Sequence, residues 1–434
     1  MNIQILYKQI NLEQCDIRVT PGDWVVIKPN WVKECKENDP REWQSVITSP
    51  YLISKMCRYV CEMLEGKGRI TICDAPQTDS SFIKISDKLG LFEIAKKYSN
   101  KYGIEIKIID LRNEEWVNQN GIITKRKKLN GDPNGSIAFN LGRSSLFYGY
   151  KGEGKYYGAD YDSRVVNAHH NGEKQEYLVC ATPILCDVFI NMPKLKTHKK
   201  TGVTLSLKNL VGINADKNWL PHHTEGTPAN GGDQFPSFSF KQKVEQVAVR
   251  HVRKLALEFP IVGKKLAQYL RKAGTKAFGS GNEVIRSGNW HGNDTTWRMV
   301  LDLNRCLLYG NPDGTLRKSN PKRYYTIIDG LIGMEGSGPM QGDPVKSNVV
   351  ICGKDPVATD MVASRVMGFD WKKIPVIREA FKLKDFSISL TSPDDVYVES
   401  NVPEWTGKFS EIEKNDFLCF KPHYGWEGHI EYEK

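Results

Sequence analysis

Short β-branched or aromatic runs alternate along the chain with longer segments whose apolar residues recur every three or four positions. That alternation predicts strands interleaved with helices. Trp24 to Lys28, after the turn Pro21-Gly22-Asp23, reads as a buried strand. Ser49-Pro50 opens a helix from Tyr51 to Leu64 with Leu52, Ile53, Met56, Val60 and Met63 at helical spacing, proline being favoured at a first helical position. Arg69 to Cys73 is a second strand, Leu91 to Asn100 a helix and Gly103 to Asp110 a third strand. The order β-α-β-α-β predicts a parallel sheet. Val188 to Asn191, Tyr324 to Ile328 and Asn348 to Cys352 read as further strands. Val357 to Met367 reads as a helix with Asp360 on its first turn, where an acid suits the macrodipole. A helix entered from Gly288 to Asn304 is expected to be capped by Asp294 or Thr295.

The expected fold is therefore α/β, a parallel or mixed sheet with helices on both faces, arranged in two lobes. An N-terminal α/β lobe takes residues 1–110 and a loop-rich or antiparallel insertion takes 111–180, where Gly, Asn, Tyr and charge replace the strand-helix rhythm. A central strand with its lysine- and histidine-rich segment takes 181–240. A basic helical insertion, split at Pro260, takes 241–285. A C-terminal α/β lobe with a glycine-rich loop takes 286–400, and a polar, aromatic tail takes 401–434.

Each strong strand ends in polar residues: Lys28 and Asn30 after Pro29, Asp74 after Cys73, Asp329 after Ile328. Ligands of open parallel sheets sit outside the carboxyl ends of the strands, so these groups are expected to converge. The densest polar stretch is Asp187 to Gly212, DVFINMPKLKTHKKTGVTLSLKNLVG. Here Pro193 is expected to turn the chain, which then presents Lys194, Lys196, His198, Lys199 and Lys200 before a helix opening at Gly202 and carrying Lys208. Free N–H groups and the positive helix end beside ammonium groups favour an anion.

Lys28, Asn30, Lys194, Lys208 and Asn209 are accordingly read as substrate-binding, and His198 as a proton carrier near neutral pH. Lys196, crowded by cations, would lose its proton more easily and suit catalysis. Asp74 and Asp329 would act as bases or hold a divalent ion. The run Leu331 to Pro344 brings its backbone close to a ligand or another strand through Gly333, Gly336, Gly338 and Gly342. Glu335, Gly336 and Gly338 join the substrate-binding candidates. The run matches neither the P-loop nor the dinucleotide fingerprint.

A metal site could draw on His222, His223 and Asp216, but solvated loop histidines are commoner. His169 and His170, being adjacent, point to opposite sides of an extended chain. The ten cysteines include no CxxC, which leaves no zinc-ribbon or ferredoxin spacing. The size of the chain removes the need for a disulfide scaffold, and a reducing, cytoplasmic setting is expected. Cys57 and Cys61 read as core residues. No window approaches the roughly 18 apolar residues of a spanning helix.

The net charge of +10, from 61 basic and 51 acidic residues, suits anionic metabolites, nucleic acid or an acidic surface. The basic helices are assigned to covering the sheet or to a homo-oligomer contact, which leaves nucleic acid the weaker partner.

The motifs VVIKPNW, CDAP, INMPKLKTHKKTGVTLSLKNLVGI, IDGLIGMEGSGP and KDPVATD occur in the order found in the domain of unknown function 362 family, which the chain resembles from about Pro21 to Pro375. The resemblance implies an architecture and a site, with no secured reaction. Some members carry an additional iron-sulfur module, whose cysteine pattern is missing from this chain. A remoter likeness of layout to the lactate racemase group implies a metal-dependent isomerase as one alternative. The leading expectation is an enzyme, a transferase or isomerase, acting on a phosphorylated or carboxylated metabolite in an interlobe cleft. A nucleic-acid-binding protein and an iron-sulfur redox protein are the competing readings.

Overall fold

The computed structural model describes residues 1–36, 39–119, 122–158, 163–237, 285 and 287–433. The predicted basic helices of 241–285, with the oligomer contact assigned to them, lie outside the described residues.

The sheet is built by the strands the sequence pattern indicates, and it is mixed and mostly parallel. Glu105–Asp110, Arg69–Asp74, Trp24–Pro29, Val188–Met192 and Arg323–Glu335 lie side by side in that order, each parallel to its neighbour. Val349–Gly353 runs antiparallel to Arg323–Glu335. It pairs in turn with Asn2–Tyr7, a strand not anticipated from the sequence, and the sheet closes through Tyr397–Ser400 and Gly407–Lys408. Strands from the two predicted lobes thus share one sheet, with Val188–Met192 bonded to a strand from each.

Alternation along the strands divides the core between the two faces. Val25, Ile27, Val188 and Ile190 meet Leu52, Ile53 and Met56 of the Pro50–Leu64 helix on one side. Val26, Phe189, Ile328 and Ile351 meet Val300 and Leu303 of the Thr296–Tyr309 helix and Met361 of the Pro356–Val366 helix on the other. Between residues 111 and 180, Glu114–Gln119 and Ile122–Lys128 form an antiparallel hairpin, and Ser136–Asn140 joins Lys174–Cys180 and His170–Asn171 in a small antiparallel sheet. Cys15 and Cys352 are joined by a disulfide, although no covalent bridge was expected. No helix among the described residues is long and apolar enough to cross a membrane.

Three local expectations change. Lys194–His198 is a strand, parallel to the distal half of Arg323–Glu335, and the helix that follows begins at Leu205 rather than Gly202. The pattern KLKTH alternates in period two, but Pro193 and the lysine charges read as a turn. The segment Leu331 to Glu335 likewise continues its strand instead of looping. Gly330 and Gly333 leave room for Leu195 of the neighbouring strand, so close strand packing is what these glycines serve. Finally, the Thr296–Tyr309 helix is capped from outside: Asn293 Oδ1 accepts from the Thr295 and Thr296 N–H groups, and Asp233 Oδ2 accepts from the Asp294 and Thr295 N–H groups.

Candidate functional site

Parallel pairing aligns the strand ends, and the register brings Lys28 beside Asn191 and Asn191 beside Thr326. Lys28 is fully buried and donates from Nζ to Asp74 Oδ1 at 2.7 Å and to Pro29 O at 3.1 Å. Asp74 also accepts from the N–H groups of Trp31 and Ala75. Lys194 Nζ donates to Asp329 Oδ2 at 2.9 Å, and Asp329 accepts further from the Ser49 and Leu331 N–H groups. Two predicted lysines and two predicted carboxylates are therefore assembled as two buried ion pairs. All four carboxylate oxygens already accept from an ammonium or backbone donor, which fits a cation poorly and a structural clamp well.

Among the described residues, Lys196 and Lys208 have no carboxylate hydrogen-bonded to them. Lys196 is buried and donates to Val46 O at 2.8 Å. Burial, then the charges of Lys194 and Lys208, push its proton affinity well below the ordinary lysine value. Lys208, 9% exposed, has no hydrogen-bond or ion-pair partner among the described residues. Burial, followed by Lys28 and Lys199, lowers it to about 8.

His198 accepts at Nδ1 from the Lys200 N–H and lies 3.1 Å from Thr201 Oγ1. Acceptance at Nδ1 places the neutral ring's proton on Nε2. Burial first, then Lys208 and Lys199, hold His198 well below the usual histidine range. Lys28, Lys194, Lys196, Lys208 and His198 thus feel one another as a single electrostatic cluster.

The helix start expected to receive an anion is taken. Ser206 and Leu207 donate their N–H groups to Asp360 at 2.7 and 2.9 Å. Asp360 lies beyond the first turn of its own helix and caps the Leu205–Asn209 helix instead, while burial raises it well above the carboxylate range. Any anion must therefore be held by side chains.

Below the cluster runs a network of buried amides and hydroxyls. Asn30 Nδ2 donates to Asn209 Oδ1 at 2.8 Å, and Asn209 Nδ2 to Asn191 Oδ1 at 2.7 Å. Asn191 Nδ2 reaches Tyr324 Oη at 2.7 Å. Asn191, Ser206, Tyr324 and Thr326 were missed as site residues. The available signal was an asparagine inside an otherwise apolar buried strand, since a buried amide needs partners.

Gly212 is also informative. A Cβ there would stand 1.9 Å from Asp74 Oδ1 and 2.6 Å from Lys28 Nζ, so only a residue without one lets this segment cover the ion pair. The tail covers the other side: Trp426 Nε1 donates to Lys199 O at 2.9 Å, and its ring lies 3.3 Å from where a Gly202 Cβ would be.

The other candidates are held in structural contacts. Glu335 accepts from the Lys421 N–H, Gly336 O accepts from Thr197 Oγ1, and Gly338 approaches Thr197 O too closely for any side chain. Glu335 thus bonds to the tail, and Gly336 and Gly338 pack against the Lys194–His198 strand. Asp216 caps the Lys217–Trp219 turn, His223 stacks on Tyr157, and His222 is bonded through Nδ1 to Leu220 O. Among the described residues no group of three histidine, cysteine or carboxylate side chains is arranged to hold a metal ion. Cys57 and Cys61 are core thiols whose acidity burial suppresses, Cys61 being pushed up to about 12.

Fold and site together define an α/β protein whose parallel strand ends carry a buried, lysine-rich cluster. The chain belongs to the DUF362 family, described as a Domain of unknown function, whose model matches residues 25–132 and 122–365. It is also 23% identical over 221 residues to the thylakoid-associated protein sll1697 of Synechocystis sp., a match covering 50% of this chain and 45% of that protein. The chain thus matches less than half the length of that relative.

Proposed function

We propose that this protein binds an anionic small molecule, phosphorylated or carboxylated, against Lys208 and acts on it by proton transfer through Lys196 and His198. The buried ammonium of Lys208, which has no hydrogen-bond or ion-pair partner among the described residues, carries the reading: a buried charge is ordinarily paired, and a ligand anion would supply that partner. The Nε2–H of His198 is a neutral donor for a carbonyl or phosphoryl oxygen. Lys196, which gives up its proton more readily than an ordinary lysine, suits a general base. Asp74 and Asp329 hold Lys28 and Lys194 in place and act as positioning residues. An isomerase fits this set better than a metal-assisted transferase, because the carboxylates are already occupied.

The experiment is a thermal-shift screen in phosphate-free buffer with inorganic phosphate, sugar phosphates and small dicarboxylates. A ligand at one hundred times its dissociation constant stabilises by about 2.7 kcal/mol. The shift is expected in the wild type and is expected to vanish in Lys208→Met and in the Lys196→Met/His198→Ala pair. A shift that survives Lys208→Met, or no shift with any anion, overturns the reading.

A further inference from the structure

Glu105–Asp110 is the last strand of the main sheet on one side. It runs parallel to Arg69–Asp74 in unbroken register, and among the described residues no strand pairs with its outer edge. A free row of backbone N–H and C=O groups is a template for another chain unless a proline, a bulge or a covering element blunts it. The sequence EIKIID holds no proline and its register no bulge; Glu105 and Lys107 are exposed, and Ile106 and Ile108 only half-buried. Period two sorts the side chains. Ile104, just before the strand, belongs to the core beneath the Pro50–Leu64 helix, and Ile106 and Ile108 pack against that core. Glu105 and Lys107 point to the other face, where they form an exposed ion pair along the strand at 3.0 Å.

An antiparallel second copy of this strand fits the edge. A two-fold axis normal to the sheet keeps the apolar face of both copies on the same side, so a residue, and not a peptide bond, must lie on the axis. With Ile106 there, Glu105 stands opposite the partner's Lys107 and Lys107 opposite the partner's Glu105. On the other face Ile104, Ile106 and Ile108 meet the partner's Ile108, Ile106 and Ile104. Every charge then has an opposite charge across the interface as well as along its own strand. Other registers lose this match. Centring on Glu105 or Lys107 sets like charges against each other, and centring on Ile108 sets Lys107 against Ile109 and Ile106 against Asp110. We propose that two copies of this chain associate edge to edge through Glu105–Asp110, with Ile106 on the two-fold axis, so that their sheets continue as one. The outward backbone groups gain partners and the half-buried isoleucines lose their remaining contact with water. This inference is independent of the ligand proposed above, because none of the lysine cluster's residues lies on this edge.

Sedimentation velocity of the full chain, from micromolar to millimolar concentration, is expected to show a monomer–dimer equilibrium. Lys107→Glu should raise the dissociation constant of the dimer about tenfold or more, because symmetry replaces two opposite-charge pairs by two like-charge pairs. Circular dichroism should stay unchanged, since both side chains are exposed. Glu105→Lys/Lys107→Glu reverses both charges and should restore the dimer, which a general loss of folding could not do. Carbodiimide cross-linking of mixed unlabelled and isotope-labelled protein should join Glu105 of one copy to Lys107 of the other, which distinguishes the contact between copies from the ion pair within one. A monomer at every concentration, a dimer indifferent to Lys107→Glu, a double reversal that fails to restore association, or mixed-isotope cross-links confined to other residues would overturn the proposal.

Discussion

Replacing Lys208 by Met is expected to make the ligand-free protein more stable at neutral pH. The substitution keeps length and flexibility while deleting an ammonium that has no partner among the described residues. An ordinary lysine holds its proton up to 10.5, whereas Lys208 holds it only to about 8, a difference corresponding to roughly 3 kcal/mol.

The sign follows from proton counting. Between pH 8 and 10.5 the unfolded chain carries the Lys208 proton and the folded chain does not, so stability rises with pH through that window. Below pH 8 both forms are charged and the penalty is present in full. Above 10.5 both are neutral and it is gone. Allowing for imperfect packing of the thioether, the gain at pH 7 is about 1–3 kcal/mol, fading as pH approaches 10.5. Urea unfolding of both proteins at pH 7 and pH 10, in buffers free of phosphate and sulfate, measures it. A loss of stability at pH 7, or a gain of equal size at both pH values, would refute the account of Lys208 as an uncompensated charge.

Two further substitutions probe the clamps around the cluster. Gly212→Ala should force Lys28 from Asp74, because the new methyl carbon has no room beside either. Breaking a buried pair costs about 3–5 kcal/mol, read by urea unfolding, and a loss below about 1 kcal/mol would mean the segment is free to shift. Asp360→Ala should leave the Ser206 and Leu207 N–H groups uncapped, at a cost of about 2 kcal/mol or more. Amide exchange at those two positions should accelerate, and unchanged protection there would show that other groups hold this helix.

The fold was legible largely because its strands are short apolar runs separated by helix-period segments. Trp24–Pro29, Arg69–Asp74, Val188–Met192 and Val349–Gly353 all fall where the pattern put them, and parallel pairing brings the polar ends of the first three to one edge. Lys28, Asn30, Asp74 and Asp329 stand out in the sequence as polar residues that follow apolar strands, and Lys194, Lys196, His198, Lys208 and Asn209 as members of the cation-rich stretch after Val188–Met192. Their pairings do not, since which lysine meets which carboxylate is decided by residues far apart in the chain. The Lys194–His198 strand escaped because charge masked an alternation that is clear once its neighbour is known. The helix N-terminus was a sound anion site in isolation, but Asp360, more than 150 residues downstream, occupies it. The antiparallel Asn2–Tyr7 strand carries too mixed a pattern to be read without its partner.

The Lys28–Asp74, Lys194–Asp329 and Asn30–Asn209 contacts join residues 46, 135 and 179 positions apart. Closing such long loops is slow compared with forming helices or hairpins. The cluster should therefore be among the last parts of the molecule to mature during refolding. A chain halted short of that point would keep most of its secondary structure and yet be blind to its ligand, which makes recovery of binding a stricter gauge of completed folding than recovery of circular dichroism.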